Sequence, residues 1–152
     1  MRTISFTDLP ATDRKLLQEA VKRLGNSLNK ITNPSTSAIA KTEHGYYFGN
    51  NIFLSNDTLV CAEANALASA AAGDRKINRL YLVITRTDSE PKIVSPCGNC
   101  RQWLHDFARL NNQTIEVVCA ISKLDNVMLT NSGELLPGGF KSAGLGRMIE
   151  EN

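Results

Sequence analysis

Leu80-Tyr81-Leu82-Val83-Ile84-Thr85 is an almost unbroken apolar run. A strand with one wet face alternates apolar and polar side chains, so a continuous run reads as a strand covered on both faces. The flanking segments supply the covers. From about Cys61 to Gly73 the chain carries seven alanines, at 62, 64, 66, 68, 70, 71 and 72, and Gly73-Asp74 closes the segment. That composition predicts a helix whose small side chains allow close approach to its neighbours. After Pro96 a second helix is expected from about Cys97 to Leu110, with Trp103, Leu104, Phe107 and Leu110 along one stripe.

Further out, Leu16, Leu17, Ala20, Val21 and Leu24 recur at helical spacing within Asp13 to Leu28, and Thr12 or Asp13 is the expected N-cap. Ser37–Lys41 and Tyr46–Ile52 are strand-like runs separated by Glu43-His44-Gly45, which predicts a hairpin. Ile115–Ala120 and Val127–Thr130 read as two more strands. This order of elements is that of an α/β fold, a mixed sheet sandwiched by helices.

The chain has 152 residues, with 17 basic and 15 acidic side chains and a formal net charge of +2. The length suits one domain, residues 1–152, with a core large enough to need no disulfides. With 42% hydrophobic and 21% charged residues, disorder and coiled coil are excluded. The near-neutral charge gives no electrostatic case for a polynucleotide or an anionic membrane. No apolar run approaches a membrane span, and a cytoplasmic location is expected. In a reducing compartment four cysteines point to metal binding or catalysis rather than bridges.

Pro96-Cys97-Gly98-Asn99-Cys100 places two thiols three residues apart at a helix start, and Cys61 stands 36 residues earlier at another. Residues i and i+3 share a helix face, so these three sulfurs can converge on one ion. Three protein ligands with a fourth position open is the coordination of a catalytic zinc. A redox pair or half of a structural zinc site is the blander reading of an isolated Cys-x-x-Cys. Cys119, within Val117-Val118-Cys119-Ala120, reads as core. Glu63, two residues past Cys61, can serve as general acid and base, or simply complement the helix dipole. Cys/His-x-Glu followed later by Pro-Cys-x-x-Cys is the signature of zinc deaminases. Three thiolates leave the centre at −1, an excess that the helix N-termini and Arg101, hydrogen-bonded to a ligand sulfur, are expected to offset.

Three stretches resemble the small homotetrameric cytidine deaminases, including blasticidin S deaminase-like members. They are Cys61-Ala62-Glu63, Ser95-Pro96-Cys97-Gly98-Asn99-Cys100-Arg101-Gln102 and Leu135-Leu136-Pro137-Gly138-Gly139-Phe140. The likeness spans about residues 12–140 and leaves 141–152 as a tail, either a short helix or an unstructured end. It implies a three-layer α/β/α fold with a five-stranded mixed sheet, one Zn²⁺ per subunit and active sites completed by neighbouring subunits in a homotetramer. Carried over by position, Cys61, Cys97 and Cys100 are the zinc ligands and Glu63 the proton shuttle. The backbone N–H of Ala62 meets the pyrimidine carbonyl, and the Ser95 carbonyl accepts from the departing amine. Asn51 matches a ribose-binding asparagine, and Phe140 reaches a neighbour's pocket.

The resemblance also marks departures. Phe53 stands where the family's ribose-binding glutamate is expected, Ala64 where an arginine is, and Ser35-Thr36-Ser37 lacks an expected aromatic residue. The implied activity is hydrolytic deamination of cytidine, deoxycytidine or a modified cytosine nucleoside, as in pyrimidine salvage. A blasticidin S-type or other aminoheterocycle substrate is the alternative, and a non-catalytic zinc-stabilised binding domain the reading from another class. His44 and His105 lack metal-ligand spacing. Tyr46-Tyr47-Phe48 fits alternating burial better than a stacking platform. Ser55-Asn56-Asp57-Thr58 is expected at the pocket mouth as a source of polar contacts to substrate.

Overall fold

A computed structural model describes residues 1–29, 34–54 and 59–150, with side chains as far as Gly146. Among the described residues the strands are β1 (Arg2–Ser5), β2 (Leu28–Asn29), β3 (Ser35–Thr42), β4 (Tyr46–Asn50), β5 (Ile52–Phe53), β6 (Leu59–Val60), β7 (Ile77–Thr85), β8 (Glu116–Ile121) and β9 (Asn126–Asn131). The helices are α1 (Ala11–Arg23), α2 (Ala62–Gly73), α3 (Gly98–Leu110), α4 (Ser132–Leu135) and α5 (Ala143–Glu150).

The main sheet has six strands in the order β1-β9-β8-β7-β3-β4. Within it, among the described residues, only β7 and β8 pair parallel, joined by α3, so the sheet is mixed as expected. The count exceeds the expected five because Arg2–Ser5 pairs antiparallel with Asn126–Leu129. That addition covers the open edge of β9, which would otherwise present unpaired backbone groups. A small second sheet, β2-β5-β6, joins Leu28–Asn29, which follows α1, to the two short strands that follow β4. The segment 55–58 expected at the pocket mouth lies outside the described residues.

Period-two alternation sorts the sheet into two cores. Ala38, Ala40, Leu80, Leu82, Val117 and Cys119 pack with Ala66, Leu67 and Ala70 of α2 and Leu104 of α3. Ile39, Tyr81, Val83, Val118, Ala120 and Val127 pack with Leu16, Leu17 and Ala20 of α1. The three layers are therefore α1, sheet, and α2 with α3. The long run in β7 is buried on both faces, as its continuity predicts.

The start of α1 departs from expectation. Its N-cap is Pro10, with no side-chain cap. Asp13 lies buried in the first turn, where it accepts a 2.8 Å bond from the Tyr81 hydroxyl and pairs with Arg79. A buried carboxylate needs charged and hydrogen-bonding partners, and the sheet supplies them. Glu116 also pairs with Arg79. The tail past Phe140 includes a helix, α5.

The strand β4 sets the position of α2. A Cβ on Gly49 would stand 2.3 Å from the Ala62 carbonyl oxygen and 2.4 Å from the Ala66 nitrogen, so backbone packs on backbone there. Asn65 Nδ2 reinforces the contact with a 3.2 Å bond to the Asn50 carbonyl.

Candidate zinc centre

Both α2 and α3 begin at a cysteine. Cys61 is the N-cap of α2 and Cys97 the N-cap of α3, neither with a side-chain cap bond. Their first turns therefore leave backbone N–H groups directed at whatever lies beyond the helix end, a local positive potential. Cys100 sits within the first turn of α3 and is fully buried, Cys61 is half-buried and Cys97 exposed.

The three sulfurs lie within 4.8 Å of one another. Cys61 Sγ and Cys97 Sγ are 3.8 Å apart. Tetrahedral zinc with bonds of about 2.3 Å would place its sulfur ligands roughly 3.8 Å apart, so the cluster fits that ion. Cys119 is separate: it belongs to β8 and is 1% exposed in the core against α2 and α3. The four cysteines thus divide into three and one.

The thiols modulate one another. Hydrogen bonding with Cys100 draws the Cys61 thiol down to about 6, Cys97 acts the same way, and burial opposes both. The reciprocal bond, burial and the Glu63 charge push Cys100 up. Glu63 is 6% exposed. Burial raises its carboxyl to about 7, opposed by its own backbone N–H; the Cys61 charge raises it further and a bond to Cys100 lowers it. A carboxyl near neutrality, beside the thiols but outside the three-sulfur cluster, has the properties a general acid and base requires.

Ala62 is the first helical residue of α2, so its N–H has no acceptor within the helix. Arg101 hydrogen-bonds no sulfur among the described residues. Its Nε donates to the Pro96 carbonyl at 2.7 Å and its Nη2 to Ser95 Oγ at 2.6 Å. Asn51 is buried, with Oδ1 accepting from Thr36 N at 2.8 Å and Nδ2 donating to the Pro34 carbonyl at 2.9 Å. Phe53 is half-buried in β5 between Asn29 and Leu59. Phe140 is 73% exposed, and its carbonyl accepts from Gln102 Nε2 at 2.9 Å.

Neither His44 nor His105 joins the thiol cluster. Tyr47 packs toward α2 and Phe48 toward α1, where the Arg23 guanidinium covers its ring at 3.7 Å, so this run does alternate across the sheet. Two features escaped the sequence reading. Gly49 had a readable signal, since a glycine inside a strand marks close backbone approach. The Ser95–Arg101 bond had none.

Comparison with known proteins agrees with this geometry. Residues 10–117 match the family model described as the cytidine and deoxycytidylate deaminase zinc-binding region, a span that contains all three clustered thiols and Glu63. A cytidine deaminase from Mycoplasma genitalium is 31% identical over 131 residues, covering 85% of this chain and 93% of that protein. The crystal structure of cytidine deaminase from Burkholderia pseudomallei is 31% identical with a TM-score of 0.69, over 83% of this chain and 98% of that one. The fold is shared more widely: cytidine deaminase from Bacillus anthracis has a TM-score of 0.65 at 20% identity, over 92% and 97% of the two chains.

Fold, thiol cluster and these matches define a zinc-dependent aminohydrolase. The chain belongs to the cytidine and deoxycytidylate deaminase zinc-binding family.

Proposed function

We propose that the protein hydrolyses the exocyclic amine of cytidine or deoxycytidine, giving the uridine product and ammonia. The observation that carries this reading is Glu63, a buried carboxyl raised to about 7 beside a three-thiol cluster. A purely structural zinc site has no use for it. Cys61, Cys97 and Cys100 would hold zinc, which when bound would supply the Lewis acidity that makes a water easier to deprotonate.

In this reading Glu63 takes the water proton as the water oxygen adds to the amino-bearing ring carbon. It passes that proton to the ring nitrogen, then takes the remaining proton from the added hydroxyl and delivers it to the amine, so that the carbon–nitrogen bond breaks as the new carbonyl forms and ammonia leaves. The Ala62 N–H, free at the helix start, donates to the pyrimidine carbonyl. The Ser95 carbonyl accepts from the leaving amine. Asn51 already spends one donor and one acceptor on Pro34 and Thr36, which leaves one of each for a sugar hydroxyl. Phe53 offers that sugar an apolar face in place of an acceptor.

We read the enzyme as a homotetramer of single-domain subunits. Leu28, Leu54, Leu59, Val60, Val94 and Phe140 are exposed apolar residues, and a neighbouring subunit would cover them. Phe140 is free to enter that neighbour's pocket. Among the described residues no helix is long and apolar enough to cross a membrane. Unpaired thiols and a free nucleoside substrate suit a cytoplasmic salvage role.

The test follows absorbance and ammonia during incubation with cytidine, deoxycytidine, cytosine and blasticidin S. Turnover of cytidine or deoxycytidine is expected. Glu63→Gln should lower it at least about 100-fold while zinc stays near one per subunit. Unchanged turnover in that variant would sink the mechanism, and a monomeric mass by light scattering would remove the tetramer.

A further inference from the structure

Arg101 is half-buried, and among the described residues it has no carboxylate partner. Its guanidinium instead turns back onto the segment that leads into its own helix. That segment, residues 86–97, has no helix or strand. Within it, the hydrogen bonds recorded for Ser95 and Pro96 among the described residues come from Arg101: Nε to the Pro96 carbonyl at 2.7 Å and Nη2 to Ser95 Oγ at 2.6 Å. Pro96 has no N–H of its own to anchor it. Cys97 follows directly and is the most exposed of the three clustered thiols, so packing does least to fix it.

Two bonds from one rigid plane define the loop's orientation as well as its distance, which a single-point ammonium cannot do. Helix α3 is anchored through Leu104, which is fully buried, so the plane is referred to a fixed element.

We propose that Arg101 is a positioning residue whose guanidinium fork holds the Ser95–Cys97 segment, keeping Cys97 Sγ at ligand distance from Cys61 Sγ. Its contribution to the metal is geometric and does not depend on its charge. The proposal rests on the zinc reading of the cluster, and it replaces a bond to sulfur with two bonds to loop oxygens.

The test measures zinc transfer from the loaded protein to a chromophoric chelator for the wild type, Arg101→Lys, Arg101→Gln and Ser95→Ala. Partners that orient a metal ligand are worth about 10–100-fold in metal affinity. Arg101→Lys, which keeps the charge, should lose zinc affinity about as much as Arg101→Gln. Ser95→Ala, which changes no charge, should move the same way by several-fold. In the cobalt-substituted protein, the thiolate and ligand-field bands of Arg101→Lys should shift, reporting altered tetrahedral geometry. Far-ultraviolet circular dichroism identifies a variant that fails to fold, and Ser95→Ala keeps the question open to test in that event. Wild-type zinc affinity in either Arg101→Lys or Ser95→Ala overturns the proposal. A wild-type protein that takes up no zinc overturns the metal centre itself, a result distinct from either.

Discussion

Gly49 of β4 and Ala62 of α2 meet backbone to backbone, with the site of a Gly49 Cβ only 2.3 Å from the Ala62 carbonyl oxygen. No side-chain rotation can relieve that contact, because the obstructing atoms are main chain. Gly49→Ala must therefore lift the start of α2, which carries Cys61 at its cap and Glu63 in its first turn. Overpacking of this kind costs about 1–3 kcal/mol. The expected result is a lower urea midpoint together with weaker zinc retention. Unchanged zinc affinity would mean that α2 is placed by other contacts.

Tyr81 and Asp13 couple the sheet to α1, and this bond predicts a pH signature. Burial first, and then the Asp13 carboxylate, raise the Tyr81 phenol above its ordinary value of 10. The folded protein thus keeps this proton where the unfolded chain loses it. The contribution to stability is whole below pH 10 and declines as pH rises above it. At pH 7, Tyr81→Phe should be less stable by about 1.5–3 kcal/mol, the worth of a bond to a charged acceptor. The gap between wild type and variant should narrow in urea melts above pH 10. A gap that stays constant with pH would disprove the coupling.

Asn51 predicts a mixed phenotype. Asn51→Ala leaves Thr36 N and the Pro34 carbonyl without their side-chain partners, at a cost of about 1–3 kcal/mol. It also removes the donor and acceptor proposed for the sugar, so KM for cytidine should rise along with the loss of stability. A stability loss with KM unchanged would leave Asn51 a structural clamp alone.

Where the signals were local, the sequence was readable. Cys97 and Cys100 are three apart at a helix start, Cys61 and Glu63 share one helical turn, and the run from Leu80 to Thr85 declares its own double burial. Features whose cause lies far away were not readable. Asp13 looks like a helix cap from its neighbours, whereas its partners Arg79 and Tyr81 are 66 and 68 residues distant. Arg2–Ser5 is a short stretch whose strand character depends on pairing with β9, over 120 residues later. Arg101 follows Cys100 directly, so adjacency suggested the sulfurs. The course of the segment before the helix, which no periodicity encodes, brings Ser95 and Pro96 to it instead.

The division of the cysteines into three and one gives the last prediction. Cys119 is 1% exposed, paired in register between Leu82 and Met128. Burial, with the Glu63 charge adding, pushes its thiol up to about 12. At pH 8 it is neutral as well as inaccessible, and the thiolate is the form that reacts and ligates. A thiol reagent should therefore leave Cys119 unmodified until the protein unfolds, whereas Cys97, exposed at the cap of α3, should react first once a chelator is present. Cys119→Ala should keep one zinc per subunit and cost about 1 kcal/mol through lost core volume. Cys97→Ala should lose the ion. If Cys119→Ala lost it too, the fourth thiol would be a ligand, the centre would be closed, and no position would remain for the water that deamination requires.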